Sequence, residues 1–110
     1  MDLLKGTLDV LLLKTLSWAP LHGYGVARAI RVQTEEALTV DEGALYPALR
    51  RLEGRGWLTA EWGVTDTGRE ARFYRLTEEG AAELERQTRS WGRYVEAMAR
   101  VLGRDSAPEV

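Results

Sequence analysis

Between Leu45 and Val64 the apolar residues change period, and that change limits what the chain can fold into. Leu45, Leu49 and Leu52 recur at the four-then-three spacing of a helix stripe. After "EGRG", Leu58, Ala60, Trp62 and Val64 alternate with Thr59, Glu61 and Gly63, the period of two of a half-buried strand. So short a link makes the helix and the strand neighbours in space. "TDTGRE" then predicts a hairpin tip, and "ARFYRL" from Ala71 to Leu76 the returning strand.

The flanking segments complete a helical frame. Leu4, Leu8, Leu11, Leu12 and Leu16 predict a first helix, with Asp9 near its positive end. Pro20 and Gly23 break it, and a second helix is expected from Tyr24 to about Glu36, with Val26, Ile30 and Gln33 inward. Leu38–Val40 is short and β-branched enough for a small strand. Asp41 offers a side-chain acceptor to the free amides of helix three, which runs to about Gly54. Thr77 can cap the last helix, with Glu78 and Glu79 in its first turn and Gly80 where a full capping box would have Glu or Gln. Along that helix Leu84, Thr88, Trp91, Val95, Met98 and Leu102 form a heptad seam of about two and a half repeats. The expected fold is mainly α with a small β hairpin: a winged helix-turn-helix over 1–76, a dimerisation helix over 77–104 and a disordered tail over 105–110.

Composition excludes several functions. A chain of 110 residues, 45% apolar and 29% charged, suits one folded domain. It has no cysteine, and a single histidine, His22, beside turn residues, so neither a metal site nor a catalytic triad is indicated. A phosphate-binding glycine loop and a nucleophile elbow are also missing, and neither an enzyme nor a cofactor is expected. The run Leu11–Leu13 is broken by Lys14, and no apolar window approaches the roughly 20 residues a bilayer requires. A cytoplasmic protein without membrane contact is expected.

The net charge of −2 points away from nucleic acid, but the acids are unevenly placed. Residues 1–77 hold ten basic and ten acidic side chains, and 78–110 hold five and seven. Between Arg50 and Leu76 six arginines face four acids, and local potential governs DNA binding. On helix three the leucine stripe leaves Gly43, Pro47, Arg50, Arg51 and Gly54 outward. An interior proline costs about 3 kcal/mol or more, so stability alone does not explain this face. It is either a solvated surface or a thin face that lets arginines reach phosphates and guanine edges. Tyr46, at its edge, either donates to a phosphate or folds back onto helix two. Lys5 and Tyr24 stand at helix starts, where either a phosphate contact or simple solvation of the helix end fits.

These motifs resemble the PadR-like transcriptional regulators. The similarity lies in "KGTLDVLLLKTL", "HGYGVARAI", "GALYPALRRLEGRGWL" and "RFYRLTEEG", covering about Leu4 to Gly80, with Leu-Tyr-Pro-x-Leu the most specific part. The resemblance implies a homodimeric DNA-binding repressor with helix three in the major groove and the last helix building the dimer. It also implies the compact subgroup with a single short terminal helix. The expected contacts are Lys5, Tyr24, Gly43, Ala44, Tyr46, Pro47, Arg50 and Arg51, with Arg69 and Arg72 on the hairpin. Where relatives carry a basic pair before the tyrosine, this chain has "EARFY". Two-fold symmetry implies a palindromic operator. Trp91 reads either as a dimer anchor or, in addition, as one wall of a slot for a planar aromatic effector. The competing function is a dimeric winged-helix scaffold that does not bind DNA.

Overall fold

Gly6 adopts a left-handed conformation (φ +86°), and α1 begins after it, spanning Leu8–Trp18 rather than starting at Leu4. The structure, a computed structural model, describes residue 3 and residues 6–107, so Leu4 and Lys5 lie outside the described residues. Leu12, Leu13 and Leu16 of α1 are buried against Val26 and Ile30 of α2 (Gly23–Gln33) and Leu45, Ala48, Leu49 and Leu52 of α3 (Glu42–Gly54). One helical stripe from each element thus closes a three-helix core.

The turn between α2 and α3 comes earlier than the periodicity predicts. At Thr34 the side chain takes over from the helix: its hydroxyl donates to the Ile30 carbonyl at 2.8 Å and accepts from the Leu38 amide at 3.0 Å. Glu35 and Glu36 then turn left-handed (φ 51° and 71°), at a cost of about 1–2 kcal/mol each. Their amides remain satisfied, donating to the carbonyls of Val32 and Arg31. Leu38–Val40 forms no strand; Leu38 and Val40 instead pack on the core as irregular chain. Asp41 makes no side-chain cap to α3. Its backbone carbonyl accepts from Ala44 and Leu45, each at 3.0 Å. Pro47 lies inside α3 without interrupting it.

The sheet has a third strand that the periodicity did not predict. β1 (Leu21–His22) pairs antiparallel with β3 (Glu70–Leu76), which pairs on its other edge with β2 (Leu58–Val64), giving the order β1-β3-β2. Leu58 and Tyr74 at the base of the β2–β3 hairpin are buried, as the alternation requires. Beyond Ala60 the alternation no longer means burial, and Trp62 is 72% exposed. The hairpin outruns the helices there, so its inner face meets a cleft instead of a core.

α4 (Glu78–Leu102) starts on a firm cap: Thr77 Oγ1 accepts from the Gly80 amide at 2.9 Å and donates to the Gly56 carbonyl at 2.7 Å. A Cβ on Gly80 would lie 2.1 Å from the Trp57 carbonyl oxygen, which explains the missing capping-box side chain. At about 1.5 Å per residue the helix reaches well past the domain, within a longest molecular dimension of 61 Å. From Thr88 to Leu102 every residue is exposed. Arg104 to Ala107 have no regular secondary structure, and the rest of the expected tail lies outside the described residues.

Candidate nucleic-acid interface

With the leucine stripe of α3 in the core, Gly43, Ala44, Pro47 and Arg50 are left on its exposed side. Glycine, alanine and proline keep that face thin. Among the described residues Arg50 has no carboxylate or hydrogen-bond partner, so its five donors are available to a ligand. Of α3, Arg50 and the neighbouring Tyr46 border a cleft of about 1530 Å³ walled also by α2 and the hairpin, lined among others by Tyr24, Arg28, Trp62 and Arg69.

The first turn of α2 supplies one wall. His22 caps it, Nδ1 accepting from the Gly25 amide at 3.1 Å, and its ring meets Phe73 edge-on with centroids 5.3 Å apart. The lone histidine is thereby occupied as a helix cap. Tyr24 is exposed beside it, with its ring 6.3 Å from the imidazole. Tyr46 lays its ring on α2: a Cβ on Gly23 would come within 2.6 Å of Tyr46 Cε1. Glycine at 23 is what lets α2 and α3 approach this closely. The ring therefore folds onto helix two, and Tyr46, 40% exposed as a residue, also borders the cleft.

Two arginines expected to face DNA have partners within the fold. Arg51 Nη2 donates to Asp9 Oδ1 of α1 in a close ion pair. Arg72 forks onto Glu53, Nη1 to Oε1 at 3.1 Å and Nη2 to Oε2 at 2.8 Å, joining β3 to the last turn of α3. Spacing within one element could not reveal either pair, because both carboxylates come from other elements. Arg69, at the hairpin tip, is exposed, and its guanidinium has no ion-pair or hydrogen-bond partner among the described residues; Asp66 and Glu70 line the same cleft. Sequence reasoning missed Arg28, one helical turn after Tyr24 on the same face of α2, and Trp62, which the alternation had assigned to the core.

Between α1 and α4 runs a mainly apolar groove of about 740 Å³, lined by Val10, Leu11, Leu84 and Trp91, with Lys14 and Arg89 among its polar residues. Trp91, Val95, Met98 and Leu102 of the expected seam are all exposed, and Tyr94 tilts against Trp91 with centroids 5.7 Å apart. Among the described residues no acidic or histidine cluster could hold a metal ion, and no helix is long and apolar enough to cross a membrane.

The family model described as "Transcriptional regulator PadR-like family" matches residues 12–86. Over 68 residues the chain is 46% identical to Transcriptional regulator Rv3488 of Mycobacterium tuberculosis, covering 61% of this chain and 59% of that protein. Among solved structures, a PadR-like transcription factor from Bacteroides fragilis superposes with a TM-score of 0.70 at 29% identity, covering 88% of this chain and 91% of that one. A transcriptional regulator from Clostridium thermocellum gives 0.75 at 27% identity, covering 94% and 96%. Members of this family regulate transcription rather than catalyse reactions; they bind DNA and are generally dimeric. A winged helix-turn-helix bearing the Leu-Tyr-Pro-x-Leu helix, matched by the family model over most of its length, belongs to the PadR-like family of transcriptional regulators.

Proposed function

We propose that the chain is a cytoplasmic, sequence-specific DNA-binding repressor that acts as a homodimer and is released by a small-molecule effector. One observation carries the reading: the thin outer face of α3 presents an unpaired Arg50 into a cleft flanked by α2 and the hairpin. In that arrangement α3 enters the major groove, Gly43, Ala44 and Pro47 allow close backbone approach, and Arg50 reads a guanine edge. Tyr24, Arg28 and Tyr46 meet phosphates on one side and Arg69 on the other, with Trp62 packing against sugar. In this reading the seam Leu84, Thr88, Trp91, Val95, Met98 and Leu102 forms the dimer interface, supported by the exposed apolar side chains of Trp91, Val95, Met98 and Leu102, while Leu84 at its near end also packs on the domain core. Two α3 helices in a dimer meet half-sites about 34 Å apart, hence a palindromic operator. The α1–α4 groove beside Trp91 is where a planar aromatic effector fits best, by size and by apolar lining.

The reading is tested by titrating a duplex selected by the wild-type chain from a randomised pool. Arg50→Ala is expected to weaken binding by about 1–3 kcal/mol and to relax preference at one position. The engagement of Arg51 and Arg72 in ion pairs favours the scaffold reading instead. Selection of no sequence from the pool, with no salt-dependent retention on DNA, decides for the scaffold.

A further inference from the structure

Arg51 and Arg72 sit on the two flanks of the helix proposed to read DNA, and both are spent on carboxylates of neighbouring elements. Successive helical residues are about 100° apart, so Arg51 and Glu53 lie about 160° apart around α3, with Arg50 on the arc between them. One flank is tied to α1 through Asp9 and the other to the hairpin through Arg72. The second tie is the more directional. Two parallel N–H···O bonds fix both the distance and the plane of the Arg72 guanidinium, as a single point contact cannot. That guanidinium also lies 5.9 Å from the centroid of the buried Tyr74 ring, and directly across the hairpin from Arg72 stands Trp62.

We propose that Arg51 and Arg72 are positioning residues: they brace α3 against α1 and the hairpin, hold Arg50 and Trp62 at a set spacing, and make no contact with DNA themselves. A guanidinium committed to a carboxylate presents a neutral pair to a phosphate, so recruiting it would break the brace. Glu53 is thereby as necessary for DNA recognition as an arginine, although its own charge repels phosphate. The proposal rests on the DNA-binding reading above.

The experiment uses the full chain and the selected duplex, across a salt series. Glu53→Gln leaves Arg72 charged but frees it from its fork. If Arg72 braces, Glu53→Gln and Arg72→Lys each weaken binding roughly three- to tenfold. Tighter binding by Glu53→Gln means that Arg72 was a held-back phosphate contact and overturns the proposal. The slope of log K against log salt is the second readout. Each lost phosphate contact flattens it by about 0.9, so Arg72→Ala and Arg51→Ala should keep the wild-type slope. A flattened slope in either variant overturns the assignment for that residue. Asp9→Asn tests the other flank, with weaker binding expected and tighter binding overturning it. The charge swap Glu53→Arg with Arg72→Glu should recover part of the affinity, and no recovery counts against the brace. Amide exchange without DNA separates this proposal from the reading it rests on: Glu53→Gln should speed exchange across β2 and β3. Unchanged exchange removes the brace, whereas faster exchange in a chain that selects no DNA removes only the DNA-binding reading.

Discussion

At its first turn α4 is packed so closely that Gly80 has no room for a methyl group, while every residue of the same helix from Thr88 to Leu102 is exposed. The near end carries a threonine cap, a buried glycine and Leu84 against the core. The far end carries Trp91, Tyr94, Val95, Met98, Val101 and Leu102, all exposed. A helix of one regular geometry therefore serves two purposes, anchorage to its own domain and display of apolar surface. Contiguous exposed apolar surface is uncommon on monomers and is found more often at interaction sites.

The largest expected effect breaks the far end. Trp91→Ala with Val95→Asp removes one large seam side chain and places a charge at a second in each copy, and should weaken self-association by on the order of 4 kcal/mol or more, giving monomer by light scattering at micromolar concentration. The near end should be untouched, with helical content retained. A double variant that stays fully dimeric places the interface elsewhere.

Next comes the near end itself. Gly80→Ala would improve helix propensity by about 1 kcal/mol in an open site. Here the methyl meets a backbone carbonyl, which cannot swing away as a side chain would. A net loss of about 3 kcal/mol in denaturant unfolding is expected. The contrasting substitution is Gly92→Ala, where the added methyl meets open space and should be neutral to stabilising.

Thr77→Ala should cost about 1–2 kcal/mol, because the hydroxyl both caps the Gly80 amide and donates to Gly56. Thr77→Ser, which keeps the oxygen, should recover most of it. Thermal melts of the three chains give the comparison. Equal melting of Thr77→Ala and wild type would mean that packing at Gly80 alone holds the near end.

The smallest effect lies at Glu83, between the two regimes. A hydrogen bond from Gln87 and the neighbouring Arg86 hold its carboxyl below the ordinary carboxylate value, against a partial desolvation that pushes it up. A lowered folded-state pKa stabilises above the unfolded value, about 4.3, and the contribution is lost as pH falls through the folded one. Glu83→Gln should therefore remove a few tenths of a kcal/mol near neutral pH and nothing at pH 2, a difference read from unfolding curves at the two pH values. An equal loss at both would assign the effect to packing.

Much of the fold can be read along the chain, because helix and strand periods are local properties. Leu45, Leu49 and Leu52 are buried as their spacing predicts, Thr77 caps where its chemistry allows, and the change of period after Gly54 locates the hairpin. The outward face of α3 follows from the same stripe, and the exposure of Arg50 with it. The family resemblance rests on these same local motifs.

What only the tertiary structure decided depends on residues far apart in sequence. β1 has two residues and no pattern of its own; it exists because β3 offers Leu21 and His22 a free edge. Leu38–Val40 has strand-like residues but no such edge. Trp62 keeps the inward phase of its strand yet is exposed, because burial depends on how far the helices extend beneath the hairpin. Arg51 and Arg72 change role for the same reason: a side chain's type is set by sequence, but its partner is set by which carboxylate the fold brings within reach, Asp9 from 42 residues away and Glu53 from 19.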